Sequence, residues 1–348
     1  MLIALTHYIT KGLEKTVGPE KTKNILFSFA KERFFYTEQI FSPDLKKTIN
    51  RLIIFLPGKG CWWAKQKNGG CTMCGFGEKL KKIKSYRYTD QDIIHLFNIA
   101  LELSEKNYSE IVIFNGGSFF NDNEISSSVQ NNIARLVNKS PFAQTLYVES
   151  RPEFILKRKI KEIVKILGKK KLKVGIGLES ITNTIRNKNI NKGITLRQYE
   201  KAVRILINEH AKILTYVLLK PIYVSEKEAI KEAIKTIKYA FKKGSHEIAL
   251  ETAFVQEGTV MAELFQKGIY QPAWLWSIIE VIEKTYNLGF VHIGDFNDEP
   301  APIAIPTNCL LCNEKVMKAI KLYRKNHSLE NFKGLKCRCK LKWRREIV

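Results

Sequence analysis

The sequence lacks the features that mark several other protein classes. No stretch approaches the roughly 20 consecutive apolar residues that a transmembrane helix needs, so we expect no membrane partner. The N-terminus has neither a basic start nor a small-residue cleavage signal, which argues against secretion. No internal repeat or low-complexity linker interrupts the chain. We therefore expect a cytoplasmic protein whose cysteines stay reduced.

Acidic residues are also scarce. Asp and Glu number 34 against 58 Lys and Arg, which gives a formal net charge of +24 over 348 residues. A polyanion is the natural partner of so basic a surface, and nucleic acid fits better than a membrane. The alternative is a compositional bias without functional meaning. A hydrophobic content of 45% suffices for a sizeable core, in one large domain with an appendage or in two domains.

Short apolar segments alternate with longer amphipathic ones. The apolar segments mostly lack polar alternation, as strands buried on both faces do, and they cover residues 52–56, 111–114, 146–148, 174–178, 213–219, 248–254 and 290–293. Capping boxes at Thr195 and Ser225 begin long helical stretches between them. This order predicts an α/β fold with a parallel sheet. Because the unusual residues follow strand ends, we expect a full or partial (β/α) barrel with its active site at that face.

We expect three parts along the chain. Residues 1–50 form an N-terminal extension, 51–295 form the barrel, and 296–348 form a small cysteine-rich, metal-binding appendage. Pro300, Pro302 and Pro306 mark the start of the last part. So short a segment has little core of its own, and a bound metal would stabilise it.

Seven cysteines fall into two groups, and none is left over. Cys61, Cys71 and Cys74 follow the first predicted strand among several glycines. Three thiolates leave one iron of a four-iron cluster without a protein ligand, and that iron stays open to a reacting molecule. No histidine lies near this loop in the sequence. The alternative, a zinc site, would have to take a distant one: His7, His95 or His292.

The second group is Cys309, Cys312, Cys337 and Cys339. A C-x2-C pair followed about 25 residues later by C-x-C has zinc-ribbon-like spacing. Four thiolates close a tetrahedral zinc ion, so we expect structural zinc, with a second iron–sulfur cluster as the alternative. Six basic residues lie next to Cys337 and Cys339 in the sequence: Lys336, Arg338, Lys340, Lys342, Arg344 and Arg345. With Trp343 they would form a basic patch that binds the RNA backbone.

Three successive strand ends carry glycines and charged residues. They read N-G-G-S-F-F at residues 115–120, E-S-R-P-E at 149–153 and V-G-I-G-L-E-S at 174–180. With the first cysteine group they resemble the radical S-adenosylmethionine (SAM) superfamily, in its branch related to the elongator catalytic subunit. The C-x9-C gap is wider than the usual C-x3-C and is similar to gaps in that branch. The resemblance implies a [4Fe-4S] cluster that cleaves SAM to a 5′-deoxyadenosyl radical.

The same resemblance implies which residues bind SAM. Its amino group, ribose, carboxylate and adenine or methionine portions would be held by Gly116, Gly117, Ser118, Glu149, Arg151, Gly177 and Glu179. A carboxylate suits ribose hydroxyls, and a guanidinium fork suits a carboxylate. An ordinary tight turn and a surface ion pair are the structural alternatives.

Further stretches, at residues 187–193, 219–221, 254–259 and 271–277, resemble the archaeal family of archaeosine synthase radical SAM subunits, as do the C-terminal cysteines. This implies a lyase that converts a lysine-adducted 7-deazaguanine in the tRNA D-arm to archaeosine. It implies as partners tRNA, a lysine-transferring archaeosine synthase subunit and an electron-donor protein. Lys220, Glu251 and Gln256 are the candidates for contacting the lysine-like substrate, with packing or solvated roles as the alternative. At least one of Trp274 and Trp276 is expected in the core.

Two other functions are weighed against this one. An elongator-like radical SAM enzyme that modifies tRNA uridines would need an acetyltransferase domain, and only about 50 residues follow the predicted barrel, so it ranks lower. A non-catalytic nucleic-acid-binding protein with two zinc sites would hold zinc and no iron. A metal analysis separates these classes.

Overall fold

An eight-stranded sheet in the order β1-β2-β3-β4-β5-β6-β7-β8 forms a partial barrel. The computed structural model describes residues 34–75, 88–296 and 301–348. β1 (Phe35–Ser42) runs antiparallel to β2 (Lys47–Phe55). The later strands are parallel: β3 (Glu110–Phe114), β4 (Thr145–Glu149), β5 (Lys171–Glu179), β6 (Lys212–Leu219), β7 (Glu247–Thr252) and β8 (Phe290–Ile293). Within these ranges β1 and β8 do not pair, so the barrel is open, and the predicted α/β class is confirmed.

Helices cover the outside of the sheet. They are α1 (Asp90–Leu103), α2 (Ser127–Lys139), α3 (Lys157–Leu167), α4 (Leu196–Asn208), α5 (Glu226–Lys243) and, after the short α6 (Val260–Gln266), α7 (Leu275–Thr285). α6 belongs instead to a separate buried cluster that contacts Cys71 and Met73. The predicted capping boxes at Thr195 and Ser225 are present, and a third begins α1 at Thr89. Each cap satisfies two backbone N–H groups and so fixes where the helix begins after the preceding strand. Among the described residues, no helix is both long and apolar enough to cross a membrane.

The side chains on the two faces of the sheet form two separate apolar layers. Residues such as Ile111 and Ile113 face outward into the main core with the helices. The opposite face forms a smaller cluster inside the barrel that includes Val112, Tyr147 and Ala249. Because successive side chains of a strand point to opposite faces, Glu149 and Glu251 share the inner face with Tyr147 and Ala249. The alternation therefore places two carboxylates inside the barrel near the C-terminal ends of the strands.

The open side of the barrel is covered by α8 (Asn313–Asn326), which belongs to the C-terminal segment. Tyr323 Oη donates to the carbonyl of Val291 in β8 at 3.1 Å, and Thr48 Oγ1 of β2 donates to the carbonyl of Lys325 at 2.7 Å. Arg324 lies 2.6 Å from Asp295 and 3.5 Å from Glu38 of β1. The segment thus links the two edges of the open sheet.

The C-terminal segment also shares the main core. Val316 and Ile320 of α8, and Trp343 of α9 (Cys339–Ile347), belong to the same cluster of buried residues as the barrel. The sheet, for its part, begins at Phe35, before the expected barrel start at residue 51. The segment FYTEQIFS has only two buried side chains, Ile40 and Ser42, and polar residues interrupt its middle, so it lacks the continuous apolar run by which the other strands were predicted. The three-part division of the chain stays a prediction.

Candidate active site and metal centre

The three-cysteine loop (residues 58–75) lies against the segment that follows β5. Thr72 N–H donates to the carbonyl of Ile190 at 2.9 Å. Asn191 Nδ2 donates to the carbonyl of Gly70 at 2.8 Å, and Trp63 Nε1 donates to the carbonyl of Asn191 at 2.7 Å. These bonds join parts of the chain more than a hundred residues apart and fix the loop over the C-terminal ends of the strands.

A glycine turn and an arginine enclose Trp63. Gly193 has a φ of 65°, and a Cβ added there would overlap the Trp63 ring. The guanidinium carbon of Arg151 lies 5.3 Å from the Trp63 ring centroid. Arg151 Nη1 and Nη2 donate to the carbonyls of Lys192 (2.9 Å) and Gly193 (3.2 Å), while Nε donates to Glu153 at 2.6 Å. The guanidinium group of Arg151 was expected to bind the SAM carboxylate. In this structure it instead binds the backbone carbonyls of the 192–193 turn and holds that turn against the three-cysteine loop.

Glu124, which sequence reasoning missed, joins the glycine-rich turn after β3 to the three-cysteine loop. Its Oε1 accepts from Trp62 N–H at 2.9 Å and from Asn121 Nδ2 at 2.8 Å, and its Oε2 accepts from Ser118 N–H. Burial raises the pKa of Glu124, although these donors oppose the rise. Because Glu124 lies in the polar stretch N-D-N-E at residues 121–124, beside another acid, no periodicity or motif distinguishes it.

Gly117→Ala is expected to disturb both the glycine-rich turn after β3 and the three-cysteine loop. An added Cβ would overlap Glu124 Oε2 and lie 3.1 Å from Cys61 Cα. Overpacking of this kind costs about 1–3 kcal/mol. We expect lower iron and sulfide content after anaerobic reconstitution, measured beside the free energy of unfolding. The control is Gly268→Ala, where an added Cβ meets nothing within 4 Å: its left-handed backbone lowers stability but leaves iron content unchanged. Full iron content in Gly117→Ala would contradict the close contact between Gly117 and Cys61.

A buried ion pair lies beside Cys71. Lys192 Nζ is 2.8 Å from Glu179 Oε1, and a Cβ added at Gly177 would overlap both groups. Burial raises the pKa of the Cys71 thiol, while the positive charges of Lys192 and Arg151 act to lower it. Several predicted strand-end residues thus meet the first cysteine group. Lys192 was not predicted as a site residue, although it belongs to the stretch 187–193 that carried the family resemblance.

Glu149 is held inside the barrel by a tyrosine pair. Tyr216 Oη donates to Glu149 Oε1 and is itself hydrogen-bonded to Tyr147 Oη. Burial, reinforced by Glu149, raises the pKa of both tyrosines well above the usual value, so both remain protonated. A Cβ added at Gly175 would lie 2.9 Å from Tyr147 Oη and 2.9 Å from Tyr216 Cε2, so glycine makes room for the pair. Glu251 is close enough to raise the pKa of Tyr216 further.

The three candidate substrate-contacting residues lie in different places. Gln256 is buried and its Oε1 accepts from Gly75 N–H at 2.9 Å, next to the last cysteine of the loop. Glu251 lies within the barrel near Tyr216. Lys220 Nζ donates instead to the carbonyl of Val224 at 2.7 Å, just before α5. The structure therefore brings Gln256 to the loop, and it directs Lys220 elsewhere.

The loop's donor set fits a four-iron cluster better than a single ion. Among the described residues, its three thiols do not belong to any group of three or more ligand atoms within 4.8 Å of one another. A cluster takes each thiolate on a different iron and spreads them more widely than one ion does. His292 lies 2.7 Å from Glu247, inside the barrel. His7 falls outside the described residues.

The other four cysteines have the spacing of a single tetrahedral ion. Sulfur–sulfur distances are 3.7 Å for Cys309–Cys312, 3.4 Å for Cys309–Cys337 and 3.5 Å for Cys312–Cys339. Zinc–sulfur bonds of about 2.3 Å place tetrahedral corners about 3.8 Å apart. A four-iron cluster would need wider separations. Trp276 Nε1 donates to Cys339 Sγ at 3.3 Å, a hydrogen bond that orients this thiol.

Two tryptophans beside this site pack in the core. Trp276 is buried, as expected for at least one of Trp274 and Trp276. Trp343 is also buried, and its Nε1 donates to Ser277 Oγ at 2.8 Å. The prediction that Trp343 forms part of an RNA-binding patch is therefore wrong. It was made from the basic residues around it, whereas the helix directs its indole inward.

Sequence comparison identifies relatives that match most of the chain, although no protein-family model matches it. Archaeosine synthase subunit beta of Thermococcus kodakarensis is 30% identical over 301 residues, which are 84% of this chain and 90% of that protein. The protein of the same name in Methanosarcina acetivorans is 27% identical, covering 85% and 84%. An uncharacterized protein of Methanocaldococcus jannaschii is 32% identical, covering 84% and 80%.

Solved structures agree on the fold. The Methanocaldococcus infernus Elp3 structure gives a TM-score of 0.50 at 20% identity, over 70% of this chain and 59% of that one. Methylornithine synthase (PylB) gives 0.50 at 11% identity, over 83% and 70%. At 20% identity or less, these structural similarities establish the partial-barrel fold alone. The family is established by the identity and coverage of the Thermococcus relative. The chain belongs to the archaeosine synthase subunit beta family.

Proposed function

We propose that this protein is a radical SAM lyase that converts a lysine-adducted 7-deazaguanine in the tRNA D-arm to archaeosine. The observation that carries the proposal is the meeting of the three-cysteine loop with the strand-end residues of the barrel. When bound, a [4Fe-4S] cluster and SAM supply the abstraction of a hydrogen atom. Cys61, Cys71 and Cys74 would hold the cluster and leave one iron for SAM.

The chain's own residues would orient SAM and exclude water. The turn containing Gly116, Gly117 and Ser118 lies against the loop and would meet the amino group of SAM through backbone dipoles. Tyr216 donates to one oxygen of Glu149, which fixes the carboxylate for hydrogen bonds from ribose hydroxyls. The wall of Trp63, Arg151 and the 192–193 turn shields the loop from one side.

The inner carboxylate of Glu251 suits a lysine-like substrate. A negative charge within the barrel complements the ammonium group of the adduct, and pairing there is stronger than in water. Gln256 supports the loop through Gly75 N–H and would act by positioning. Lys220 is the weakest of the three candidates, because its ammonium points to the carbonyl of Val224 just before α5.

The proposed partners follow from charge and chemistry. A net charge of +24 suits tRNA phosphates. The relatives are named subunit beta, which supports a second subunit that installs the lysine adduct. Reductive cleavage of SAM requires an electron-donor protein. In the C-terminal segment we propose structural zinc, since the four sulfurs fit one tetrahedral ion.

Mass analysis of tRNA nucleosides tests the proposed function. Reconstituted protein, SAM, reductant and tRNA carrying the lysine adduct are expected to yield archaeosine. Matched reactions use Cys74→Ala protein, or tRNA whose 7-deazaguanine lacks lysine, and should yield none. An unchanged adduct with active wild-type protein would contradict the proposal. A modified uridine beside an intact adduct would favour the elongator-like alternative.

A further inference from the structure

Two leucines at the tip of the four-cysteine site are almost completely exposed. Leu310 and Leu311 are 99% and 93% exposed, and they lie between Cys309 and Cys312. Cys312 N–H donates to the carbonyl of Cys309 at 3.1 Å, and the two sulfurs are 3.7 Å apart. Single exposed leucines are ordinary on protein surfaces. Two adjacent ones on a tight turn, held at both ends by metal-binding thiols, form a fixed apolar projection.

The chain beside this projection is strongly basic. Residues 333–345 contain seven Lys or Arg and no Asp or Glu. Lys336 and Arg338 are exposed and flank Cys337, whose sulfur is 3.4 Å from that of Cys309. These two cations therefore lie on the same side of the four-cysteine site as the leucine pair's neighbour Cys309. The complementary partner is a polyanion that also offers apolar surface, which describes RNA with unstacked bases.

The four-cysteine site lies on the mouth side of the barrel. Glu226 is the first residue of α5, after the C-terminal end of β6, and its Oε1 accepts from Trp274 N–H at 2.9 Å. Trp274 Nε1 in turn donates to Glu346 of α9 at 2.8 Å. Since the three-cysteine loop lies at the same ends of the strands, a nucleic acid bound on this segment would lie at the same end of the barrel as the loop.

We propose that Leu310 and Leu311 act as an apolar wedge that packs against unstacked bases or riboses of tRNA, while the cations of residues 333–345 bind its phosphates. Leucine is among the side chains that other nucleic-acid-binding proteins insert against bases in this way. The charge of the surroundings favours RNA over a protein partner, which would need an apolar pocket with an acidic rim. This inference rests on the proposed function, because the RNA is its substrate.

The test is the affinity of the metal-loaded protein for tRNA, measured by anisotropy at several salt concentrations. The variant Leu310→Ser/Leu311→Ser is expected to raise Kd about tenfold to a hundredfold. Its slope of log Kd against log salt stays at the wild-type value, because phosphate contacts are kept. Lys336→Ala/Arg338→Ala is expected to reduce that slope. The control is Leu45→Ser, a leucine 47% exposed in the turn between β1 and β2 at the opposite end of the barrel, and it should bind normally.

Zinc content, thermal unfolding and tRNA-independent formation of 5′-deoxyadenosine should be unchanged in the leucine variant, since both side chains are exposed. An unchanged tRNA affinity overturns the inference. If that variant instead loses binding to the lysine-transferring subunit alone, the surface docks protein, which also overturns it. Wild-type protein that binds tRNA through these leucines yet makes no archaeosine would contradict the proposed function and leave the inference intact.

Discussion

Cys74→Ala is expected to lose its iron and to reduce 5′-deoxyadenosine formation to background, with zinc content unchanged. The first cysteine group has three thiolates, which is the minimum for a cluster with one open iron, so no spare ligand replaces the missing one. The nearest other thiolates belong to a separate set of four, whose donor atoms lie within 4.8 Å of one another. Iron, zinc and acid-labile sulfide are measured on the same sample, beside the SAM cleavage products.

The reciprocal control is Cys309→Ala. It should lose zinc and keep the iron of the three-cysteine loop, because the four C-terminal cysteines form a ligand group that does not include the loop's thiols. If Cys74→Ala kept its iron, the loop would not be the cluster site. Wild-type protein with two zinc ions and no iron would support the two-zinc alternative instead.

Removal of the second metal should destabilise the barrel as well as the C-terminal segment. Cys312 is buried directly before α8, and that helix covers the gap between β1 and β8. Structural zinc contributes on the order of 10 kcal/mol to the folding of small zinc domains. With part of that lost in Cys312→Ser, we expect the melting temperature to fall by roughly 10 °C or more. Hydrogen exchange should show lost protection in α8 before α2.

Lys318→Ala is a suitable control for this prediction, because Lys318 is exposed on the same helix. It should leave zinc content and melting temperature close to those of the wild type. A Cys312→Ser protein that loses zinc and still melts at the wild-type temperature would contradict the described role of α8. A Cys312→Ser protein that keeps its zinc would contradict the ligand assignment.

Much of the sheet was predictable because most of its strands are buried on both faces. The predicted segments 111–114 and 290–293 coincide closely with β3 and β8. β1 was missed because most of its side chains are at least partly exposed and three consecutive polar residues, Thr37, Glu38 and Gln39, interrupt its apolar ones. Its place depends on α8, which is brought in from the other end of the chain. The residue pattern of β1 itself does not indicate its contact with this distant helix.

Sequence patterns singled out Gly117 and Gly177, and the structure places Gly117 against Cys61 and Gly177 against the Lys192–Glu179 pair. Their contacts with SAM stay a prediction. The site was not predictable where a side chain acts through a distant partner. Glu124 bonds to Trp62, 62 residues away, and Tyr216 bonds to Glu149, 67 residues away. Neither residue stands out by type or spacing. Their roles follow from burial and geometry, which appear only once the chain is folded.

The fate of the hydrogen that leaves the substrate tests the proposed radical reaction directly. We would prepare tRNA whose adduct carries lysine with a fully deuterated side chain, and measure the mass of the 5′-deoxyadenosine that forms with it. We expect deuterium in the 5′-deoxyadenosine together with archaeosine in the tRNA. Unlabelled 5′-deoxyadenosine beside an intact lysine adduct would contradict the proposed reaction.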